Sequence, residues 1–471
     1  MDDFDTLIIG AGMSGIAAAI RLAMFDKKVA IIESHSISGG LNSYYQRGGR
    51  EIDVGLHALT NFALATDRNR PLLKILKQLR IPYGDLQLAA QTFSSISFAQ
   101  TKLSFGNNGS LLSESIGEQF PQQLQGWHRL CDYVDKFDEL DLNAKYQSAK
   151  QVVSDFITCP KLLDMIFCPL FIYGSAWEHD MDISQFVIMF KALYREGFSR
   201  PRGGVRTIIE LLLDKYHNLG GQIFFKQPVQ EILRHNDRAY AVKLTSGKVI
   251  KAKEIISSIG MRETLKLAQH APEQLPSMGR MSFCECLFFC KQLPRHYGIE
   301  EVINFYNDSD VYHYQRPDDY YDLRSAVMCF PNNYAECEYQ EGVIRMTFIA
   351  NYDLWQSLKT NDIAAYRKKK QELATKAKEL VKRHYAITEL EINFEDVFTP
   401  SSIERYTGHL QGAVYGGPNK FRNGVTPYKN LYICGTDQGF LGIVGALLSG
   451  ISMANLHILA PANGQRSINE I

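Results

Sequence analysis

Three glycines near the amino terminus are spaced in a way that could bind a diphosphate. They are Gly10, Gly12 and Gly15 in the segment GAGMSG, which follows a compact apolar run and precedes residues with helical apolar spacing. The first glycine permits a sharp turn, the second lets the backbone approach a phosphate, and the third lets the helix pack closely on the strand. The helix begins near Ser14, so its N–H groups and dipole face the anion. The segment therefore predicts a dinucleotide-binding turn.

An acidic residue, Glu33, ends the next apolar run and bears on which dinucleotide is bound. A carboxylate here accepts hydrogen bonds from ribose hydroxyls and disfavours a 2′-phosphate, which favours FAD or NAD over NADP. A second glycine pair, Gly39 and Gly40, follows soon after. A simple NAD domain has no need of this second loop, whereas an extended FAD molecule passes over more backbone. We therefore expect the cofactor to be FAD.

Outside the glycine loops, few residues have the type and spacing of a catalytic group. His57 could act as a general base, because imidazole is often uncharged near neutral pH, or it could be a structural hydrogen-bonding residue. Cys284, Cys286 and Cys290 form the densest cysteine group, but they lack a second ligand pair at matching spacing and read as a strand. We expect no metal site.

The elements that must position these residues recur along the chain. Residues 4–33 read as strand, turn, helix and strand, and residues 205–260 read as a helix followed by strands with a hairpin turn at 246–247. Residues 430–455 again read as a buried strand, a glycine-rich turn and a helix. The last segment repeats the strand–turn–helix order that binds anions at the amino end.

Between these segments the composition changes. Residues 86–199 are rich in aromatic side chains and helical spacings, with an amphipathic helix predicted at 122–137, and we interpret them as a helical lid. The apolar segment 165–177 could be core, the lining of a tunnel, or a surface that enters a membrane. Residues 276–399 read as alternating strands followed by a charged amphipathic helix at 363–385.

Composition limits the classes of partner. The 471 residues carry 51 basic and 51 acidic side chains, so no global field recruits nucleic acid or anionic lipid. Nine scattered cysteines and an acidic start without a signal peptide favour a reducing, cytoplasmic compartment. We expect no stretch of about 18 uncharged apolar residues that could span a membrane. A local cluster, Arg200, Arg202 and Arg206, is either a solvated surface or a docking point for an anionic lipid or a phosphorylated substrate.

Together these motifs resemble the FAD-dependent amine oxidase-type flavoprotein superfamily, and within it the branch of phytoene desaturases, carotenoid isomerases and retinol saturases. The matching residues are GAGMSG at 10–15, Glu33, GGLNS at 39–43 and DVGLHAL at 53–59. The resemblance implies an α/β fold: a Rossmann-like FAD-binding domain of the glutathione reductase/amine oxidase type, a second α+β substrate domain and a helical lid. The FAD-binding domain is then formed by 1–85, 200–275 and 400–471, the lid region by 86–199, and the substrate domain by 276–399.

The resemblance also implies roles for single residues. Val229 would pair its backbone with adenine, Asp437 would contact the sugar-like chain of the cofactor, and the helix starting at Gly442 would face the flavin ring. Gly412 and Tyr415 would border the flavin face, although Tyr415 could equally serve packing. The full predicted cofactor set is Gly10, Gly12, Ser14, Gly15, Glu33, Gly39, Gly40, Leu41, Asn42, Ser43, Gly55, Leu56, His57, Val229, Gly435, Asp437, Gly442, Ile443 and Val444.

The expected function is that of an FAD-dependent desaturase, saturase or isomerase acting on a long apolar polyene or isoprenoid substrate. A small lipophilic substrate would favour peripheral contact with a membrane. Three alternatives remain open: an amine oxidase or porphyrinogen oxidase relative, a non-catalytic escort protein for prenylated partners, and an NAD dehydrogenase. The paired glycine loops and the closing glycine-rich motif disfavour the last.

Overall fold

The computed structural model of the protein describes residues 3–460 except 56, 140, 142, 143, 337 and 338. In this part of the chain the strands are β1 (Phe4–Ile9), β2 (Val29–Ile32), β3 (Tyr44–Arg47), β4 (Arg50–Asp53), β5 (Leu88–Ala90), β6 (Ser94–Phe98), β7 (Thr101–Phe105), β8 (Ser199–Pro201), β9 (Gln222–Phe224), β10 (Val229–His235), β11 (Arg238–Leu244), β12 (Val249–Ser257), β13 (Ser282–Cys290), β14 (Ile303–Asn307), β15 (Ser325–Cys329), β16 (Gly342–Ala350), β17 (Ile392–Phe398) and β18 (Leu431–Ile433). The α-helices of the same residues are α1 (Met13–Ala23), α2 (Pro71–Leu79), α3 (Ser110–Gln119), α4 (Leu124–Lys136), α5 (Ala149–Ser154), α6 (Pro160–Gly174), α7 (Ile183–Phe190), α8 (Val205–Asn218), α9 (Met261–Leu267), α10 (Tyr352–Asn361), α11 (Ile363–His384), α12 (Pro400–Thr407) and α13 (Gly442–Ala454).

The first sheet is built around β1 and has the strand order β10-β11-β12-β1-β2-β9, with β18 also paired to β12. Strand β1 is parallel to both β2 and β12, and Leu7 lies opposite Ala30 and Ile255. The strand is almost entirely buried because helices α1, α8 and α13 cover one face of the sheet and an apolar layer covers the other. This is the predicted Rossmann-like architecture.

The second sheet is mixed and has the order β17-β13-β16-β15-β14-β6-β7. Along β13, Cys284 and Cys286 point into a core formed with helices α10 and α11, while Phe283 and Glu285 on the opposite face line a cavity. The strand interpretation of the cysteine segment is therefore confirmed, and these cysteines are free and buried.

Part of the segment expected to be helical forms strands instead. Residues Ser94–Phe98 and Thr101–Phe105 make the antiparallel pair β6–β7, which joins the second sheet through the parallel pair β6–β14. The serine-rich sequence SSISF carries little apolar periodicity, so its burial depends on a partner strand about 200 residues away. Helices α3 to α7 follow, and together with β6 and β7 they form a core rich in aromatic side chains.

The apolar segment 165–177 belongs to that core. Helix α6 buries most of it, and only its last turn, at Ile172 and Tyr173, reaches the cavity wall. The basic cluster is paired throughout: Arg200 with Asp53, Arg202 with Glu336, and Arg206 with Glu51. These ion pairs disfavour anion docking, but Arg200 is buried against Asp53, so the solvated-surface prediction holds for Arg202 and is wrong for Arg200.

One sequence expectation about membrane spans is wrong. Residues 442–459 form a continuous helical stretch that is long and apolar enough, by length and composition alone, to cross a membrane. The stretch contains glycines and polar residues, so it does not look like an uninterrupted apolar run in the sequence. Its polar residues are uncharged. Half of the stretch is buried, and α13 packs against α1, as in the core helix of a folded domain.

Candidate active site

A cavity of about 1040 Å³ is lined by residues of both sheets. One end is formed by the carboxyl ends of β1 and β2, where ligands bind in open α/β sheets. The other end is formed by β13, β16 and the last turn of α6. Its volume is at the upper limit of pockets that hold one drug-sized ligand, so an extended cofactor and part of a substrate can share it.

The first glycine turn has the geometry that its sequence predicts. A Cβ atom built on Gly15 would lie 2.2 Å from the carbonyl oxygen of Gly10, so only glycine lets α1 approach β1 this closely. A Cβ atom on Gly12 would meet no protein atom within 4 Å, because this residue faces the cavity. Gly12 therefore leaves space for a ligand, whereas Gly15 serves the packing of the fold.

Glu33 is held rigidly at the end of β2. Its side-chain oxygens accept the backbone N–H groups of Ala11 and His35, each at 2.7 Å, and the residue is 9% exposed. A carboxylate has about four acceptor positions, so lone pairs remain for ribose hydroxyls on the cavity side. The residue thus fits its predicted role.

The second glycine loop lies directly beside the first. The N–H of Gly39 donates to the carbonyl oxygen of Ala11 at 2.8 Å, and residues Gly40–Asn42 form a 3₁₀ turn along the cavity. Gly55 adopts a φ of +72°, and a Cβ atom there would lie 2.3 Å from the carbonyl oxygen of Leu41. The two loops and the turn at Gly55 make one continuous backbone surface for an extended cofactor.

Most of the predicted cofactor residues are brought together. Those that line the cavity are Gly10, Gly12, Ser14, Glu33, Gly39, Gly40, Leu41, Asn42, Ser43, Gly55, His57, Val229, Gly435, Gly442 and Ile443. Gly15 lies behind the wall in the packing role already described, and Val444 is buried in the core between α1 and α13. Leu56 lies outside the described residues.

Asp437 does not line the cavity. Its carboxylate accepts the backbone N–H groups of Met261 and Gly417, each at 2.7 Å, and joins three loops behind the wall. Thr436 lines the cavity instead. The geometry favours Thr436 as the residue facing the cofactor chain. Thr436 and Asp437 are neighbours in the same turn, and no sequence pattern determines which of them faces the cavity.

The two predicted border residues also have structural partners. The Tyr415 hydroxyl donates to the carbonyl oxygen of Ile172, and burial raises the pKa of this phenol. Its ring packs edge-on against Phe283, so Tyr415 forms part of the cavity wall. Gly412 lies outside the cavity lining, and its carbonyl oxygen accepts the hydroxyl of Ser282 at 2.7 Å.

A buried ionic cluster at the far end of the cavity was not predicted. Glu285 on β13 accepts the Nε–H of Arg345 on β16 at 2.6 Å, and the two residues are 3% and 2% exposed. Burial alone would raise the pKa of Glu285, but Arg345 and His57 outweigh burial and lower the pKa to about 2. The carboxylate is therefore ionised at working pH. The sequence signal was a single acidic residue inside the apolar strand FCECLFF, since buried charges are rare unless paired.

His57 completes this cluster. Its Nε2 atom lies 3.3 Å from Oε1 of Glu285 and 3.0 Å from the hydroxyl of Thr347. Glu285 and Thr347 stand opposite each other in the β13–β16 pair, so both side chains are on the same sheet face. The cluster joins the DVGLHAL loop of the first domain to the second sheet.

The residues present fit an FAD molecule. The paired glycine loops offer backbone N–H groups and free space at one end, Glu33 offers acceptors to a ribose, and α13 begins at the cavity wall with Gly442 and Ile443. The positive end of that helix dipole suits a ring edge on which negative charge develops. This fold and site define an FAD-dependent oxidoreductase.

Comparisons with known proteins place the chain in a family. The family described as flavin containing amine oxidoreductase matches residues 13–456. The chain belongs to this family, and its cofactor is FAD.

Individual relatives are distant but extend over the whole chain. A chloroplastic prolycopene isomerase of Daucus carota is 22% identical, with 96% of this chain and 80% of the relative covered. An all-trans-retinol 13,14-reductase of Danio rerio is 21% identical, with 99% and 89% covered. Among solved structures, an oxidoreductase from Methanosarcina mazei has a TM-score of 0.67 at 15% identity, with 95% and 99% covered, and shows the shared fold. Within the family, the chain is similar to the carotenoid and retinoid branch.

Proposed function

We propose that this flavoprotein desaturates, saturates or isomerises a long apolar polyene or isoprenoid substrate. The observation that carries the proposal is the continuation of the cavity past the glycine loops into an apolar chamber. The chamber walls include Ile172, Tyr173, Phe283, Val414, Tyr415, Phe440 and Leu441. Such walls bind apolar surface and exclude water. The activities in the names of the relatives support the same substrate class.

In this proposal the chemistry is divided between cofactor and protein. Bound FAD supplies two-electron chemistry by accepting or returning a hydride. The glycine loops fix the position of the cofactor, and Glu33 orients its ribose. The aromatic wall holds the carbon chain at a defined depth, so orientation supplies much of the rate enhancement.

An amine substrate is the second candidate, because the family includes amine oxidoreductases. A site that binds a cationic amine would be expected to have a carboxylate in the chamber that is not already paired with a cation. The acidic residues that line the cavity have partners instead: Glu285 is paired with Arg345, Asp396 with Arg47, and Glu263 accepts the N–H of Leu410. These partners favour an uncharged substrate.

The test is a product assay with the purified, FAD-loaded protein. Cis and trans carotenoids, a retinoid alcohol and saturated isoprenoids are incubated with oxidised or reduced protein, and diamines and porphyrinogens are incubated with oxidised protein in air. We expect FAD-dependent conversion of a polyene and no peroxide from amines. Amine-dependent peroxide with unchanged polyenes would contradict the proposal. Polyene binding without conversion would indicate an escort protein.

We also propose that the protein takes its substrate from a membrane by peripheral contact, because a long polyene is almost insoluble in water. Flotation with neutral phosphatidylcholine vesicles tests this proposal. Co-flotation that increases when the vesicles contain substrate is expected, and a protein that stays at the bottom of the gradient in both cases would contradict it.

A further inference from the structure

The buried cluster of Glu285, Arg345, Thr347 and His57 lies at the end of the cavity formed by β13 and β16, where apolar side chains such as Phe283 also line the wall. An ion pair at this position has no part in binding a hydrocarbon. It is also costly, since burying two charges can cost more than their attraction returns. We therefore looked for a role of the ion pair in its contact with His57.

Hydrogen bonding determines which imidazole nitrogen carries the proton. The ionised carboxylate of Glu285 can only accept hydrogen bonds, and the Nε–H of Arg345 holds it in place. Nε2 lies 3.3 Å from this carboxylate and 3.0 Å from the Thr347 hydroxyl, which can either donate or accept. Because a lone pair on Nε2 would face the anionic oxygen, the contact with Glu285 favours the tautomer with hydrogen on Nε2. The hydrogen bonds of the ring among the described residues are made by Nε2, and His57 lines the cavity, so Nδ1 is the ring nitrogen that remains for a substrate proton.

We propose that His57 is the proton-transfer residue of the proposed polyene reaction, and that Glu285, Arg345 and Thr347 are positioning residues that fix its tautomer and ring orientation. The inference rests on the proposed function for its substrate. It goes further by assigning the proton transfer to one atom, Nδ1 of His57.

The step balances as follows in the direction of desaturation. A hydride, with its two electrons, would leave one substrate carbon, which is thereby oxidised, for the FAD that the glycine loops and Glu33 would hold. The neighbouring carbon loses a proton to Nδ1 of His57, and the electron pair of that C–H bond forms the new double bond. In saturation the imidazolium returns the proton from Nδ1 to the carbon, and Glu285 stabilises the charged ring in both directions.

The charged and titratable groups around His57 come from several elements. Glu285 on β13 contacts the ring, and the hydroxyl of Tyr334 donates to the carbonyl oxygen of His57. Arg345 on β16, Tyr45 on β3 and the Asp53–Arg200 pair act electrostatically on the Glu285–Arg345 pair or its members. Of these, only Glu285 places an anionic oxygen within hydrogen-bond distance of the ring among the described residues. A change at Glu285 should therefore alter the imidazole more than a change at any neighbour.

The experiment compares His57→Gln, His57→Ala and Glu285→Gln with the control Glu301→Gln. Glu301 is equally buried just before β14, and its pKa is also lowered against the effect of burial, by Lys102, but it lies outside the cavity lining. Because His57 is also in the predicted cofactor set, rates are expressed per bound FAD. On that basis we expect a loss of about 100-fold or more in kcat with little change in KM, and partial recovery of His57→Ala by added imidazole. Glu285→Gln should change the shape of the pH profile, whereas Glu301→Gln should keep it.

A second readout needs no substrate. In protein labelled with ¹⁵N-histidine, with the His57 signals assigned by their loss in His57→Gln, the wild type should show hydrogen on Nε2, and Glu285→Gln should show a mixture of tautomers. Hydrogen on Nδ1 in the wild type, or full activity in His57→Gln, would overturn the inference. If no polyene is converted by the wild type, the proposed function fails, and the tautomer measurement then decides the positioning role by itself.

Discussion

At the scale of single residues, the cofactor end of the site depends on where a Cβ atom can be placed. Gly12 and Gly15 belong to the same motif, yet the structure gives them different tasks. Gly12 faces the cavity, and Gly15 faces the carbonyl oxygen of Gly10. Substituting each glycine by alanine should therefore affect different properties: cofactor affinity at Gly12 and protein stability at Gly15.

Gly12→Ala should leave the apoprotein as stable as the wild type, because no protein atom lies within 4 Å of the new methyl group. The methyl group occupies cofactor space instead, so FAD affinity should fall about tenfold, or about 1.4 kcal/mol. Gly15→Ala should lower the free energy of unfolding by about 1–3 kcal/mol even without FAD. Urea unfolding of the apoproteins and FAD titration measure the two effects. Equal loss of apoprotein stability in both variants would contradict the assignment.

The buried pair predicts a specific dependence of stability on acidity. Burial acts to raise the pKa of Glu285, but Arg345 and His57 lower it from 4.5 to about 2. A lowered folded-state pKa contributes stability above the unfolded value, and this contribution, about 3 kcal/mol, is lost as the pH falls from about 4.5 through about 2. Glu285→Gln should therefore be less stable at neutral pH, and its deficit should shrink over this acidic range. A deficit that stays constant down to about pH 2 would show that the carboxylate is not held ionised by its partners.

At the scale of elements, helix packing explains the glycine at position 450 of the closing segment. Helix α13 crosses α1 so closely that a Cβ atom on Gly450 would lie 2.0 Å from the carbonyl oxygen of Ser14. Ser14 lines the cavity, so this contact connects the last helix to the cofactor loop. Gly117 in α3 is also helical, but a Cβ atom there would have only an ordinary contact of 3.6 Å with Leu124.

Alanine at these two helical glycines should therefore have opposite effects. Gly450→Ala should destabilise the protein by about 1–3 kcal/mol, because backbone atoms must move. Gly117→Ala should stabilise it by up to about 1 kcal/mol through helix propensity. Thermal unfolding with matched FAD concentration distinguishes them, and a stabilising Gly450→Ala would refute the close helix contact.

The elements also show what sequence could and could not predict. The turn at Gly10, the helix from Val205 and the strand containing Cys284 carry local signals, and the structure has each of them. The pair of Glu285 with Arg345 has no local signal, since it exists only when β13 and β16 align in register. Strand β6 was missed for the same reason, because its pairing is long-range. Local sequence patterns therefore predicted the glycine loops of the cofactor site. The ion pair of Glu285 and Arg345 could not be predicted in this way, because it depends on the pairing of distant strands.

At the scale of the whole molecule, FAD should hold the two sheets together. The cavity is lined by the glycine loops of the first sheet and by β13, β16 and β17 of the second. A ligand that binds only the folded state stabilises it by about 2.7 kcal/mol at 100 times its Kd.

The Tm of the apoprotein should therefore rise continuously with free FAD. Hydrogen exchange should slow at both Gly12 and Glu285 when FAD is added. Riboflavin, which lacks the diphosphate, should have little effect and serves as the control. Protection confined to the first sheet would mean that the cofactor does not connect the two domains.

The central claim is that one cavity brings FAD and a polyene together for reaction. The most direct measurement is anaerobic single-turnover mixing of the FAD-loaded protein with a polyene, following the visible flavin absorbance and the polyene spectrum in the same sample. We expect the polyene to change only when FAD is bound, with flavin reduction or reoxidation matching it one to one in a desaturation or saturation, and with reduced flavin retained in an isomerisation. An unchanged polyene spectrum with both oxidised and reduced FAD-loaded protein would contradict the claim.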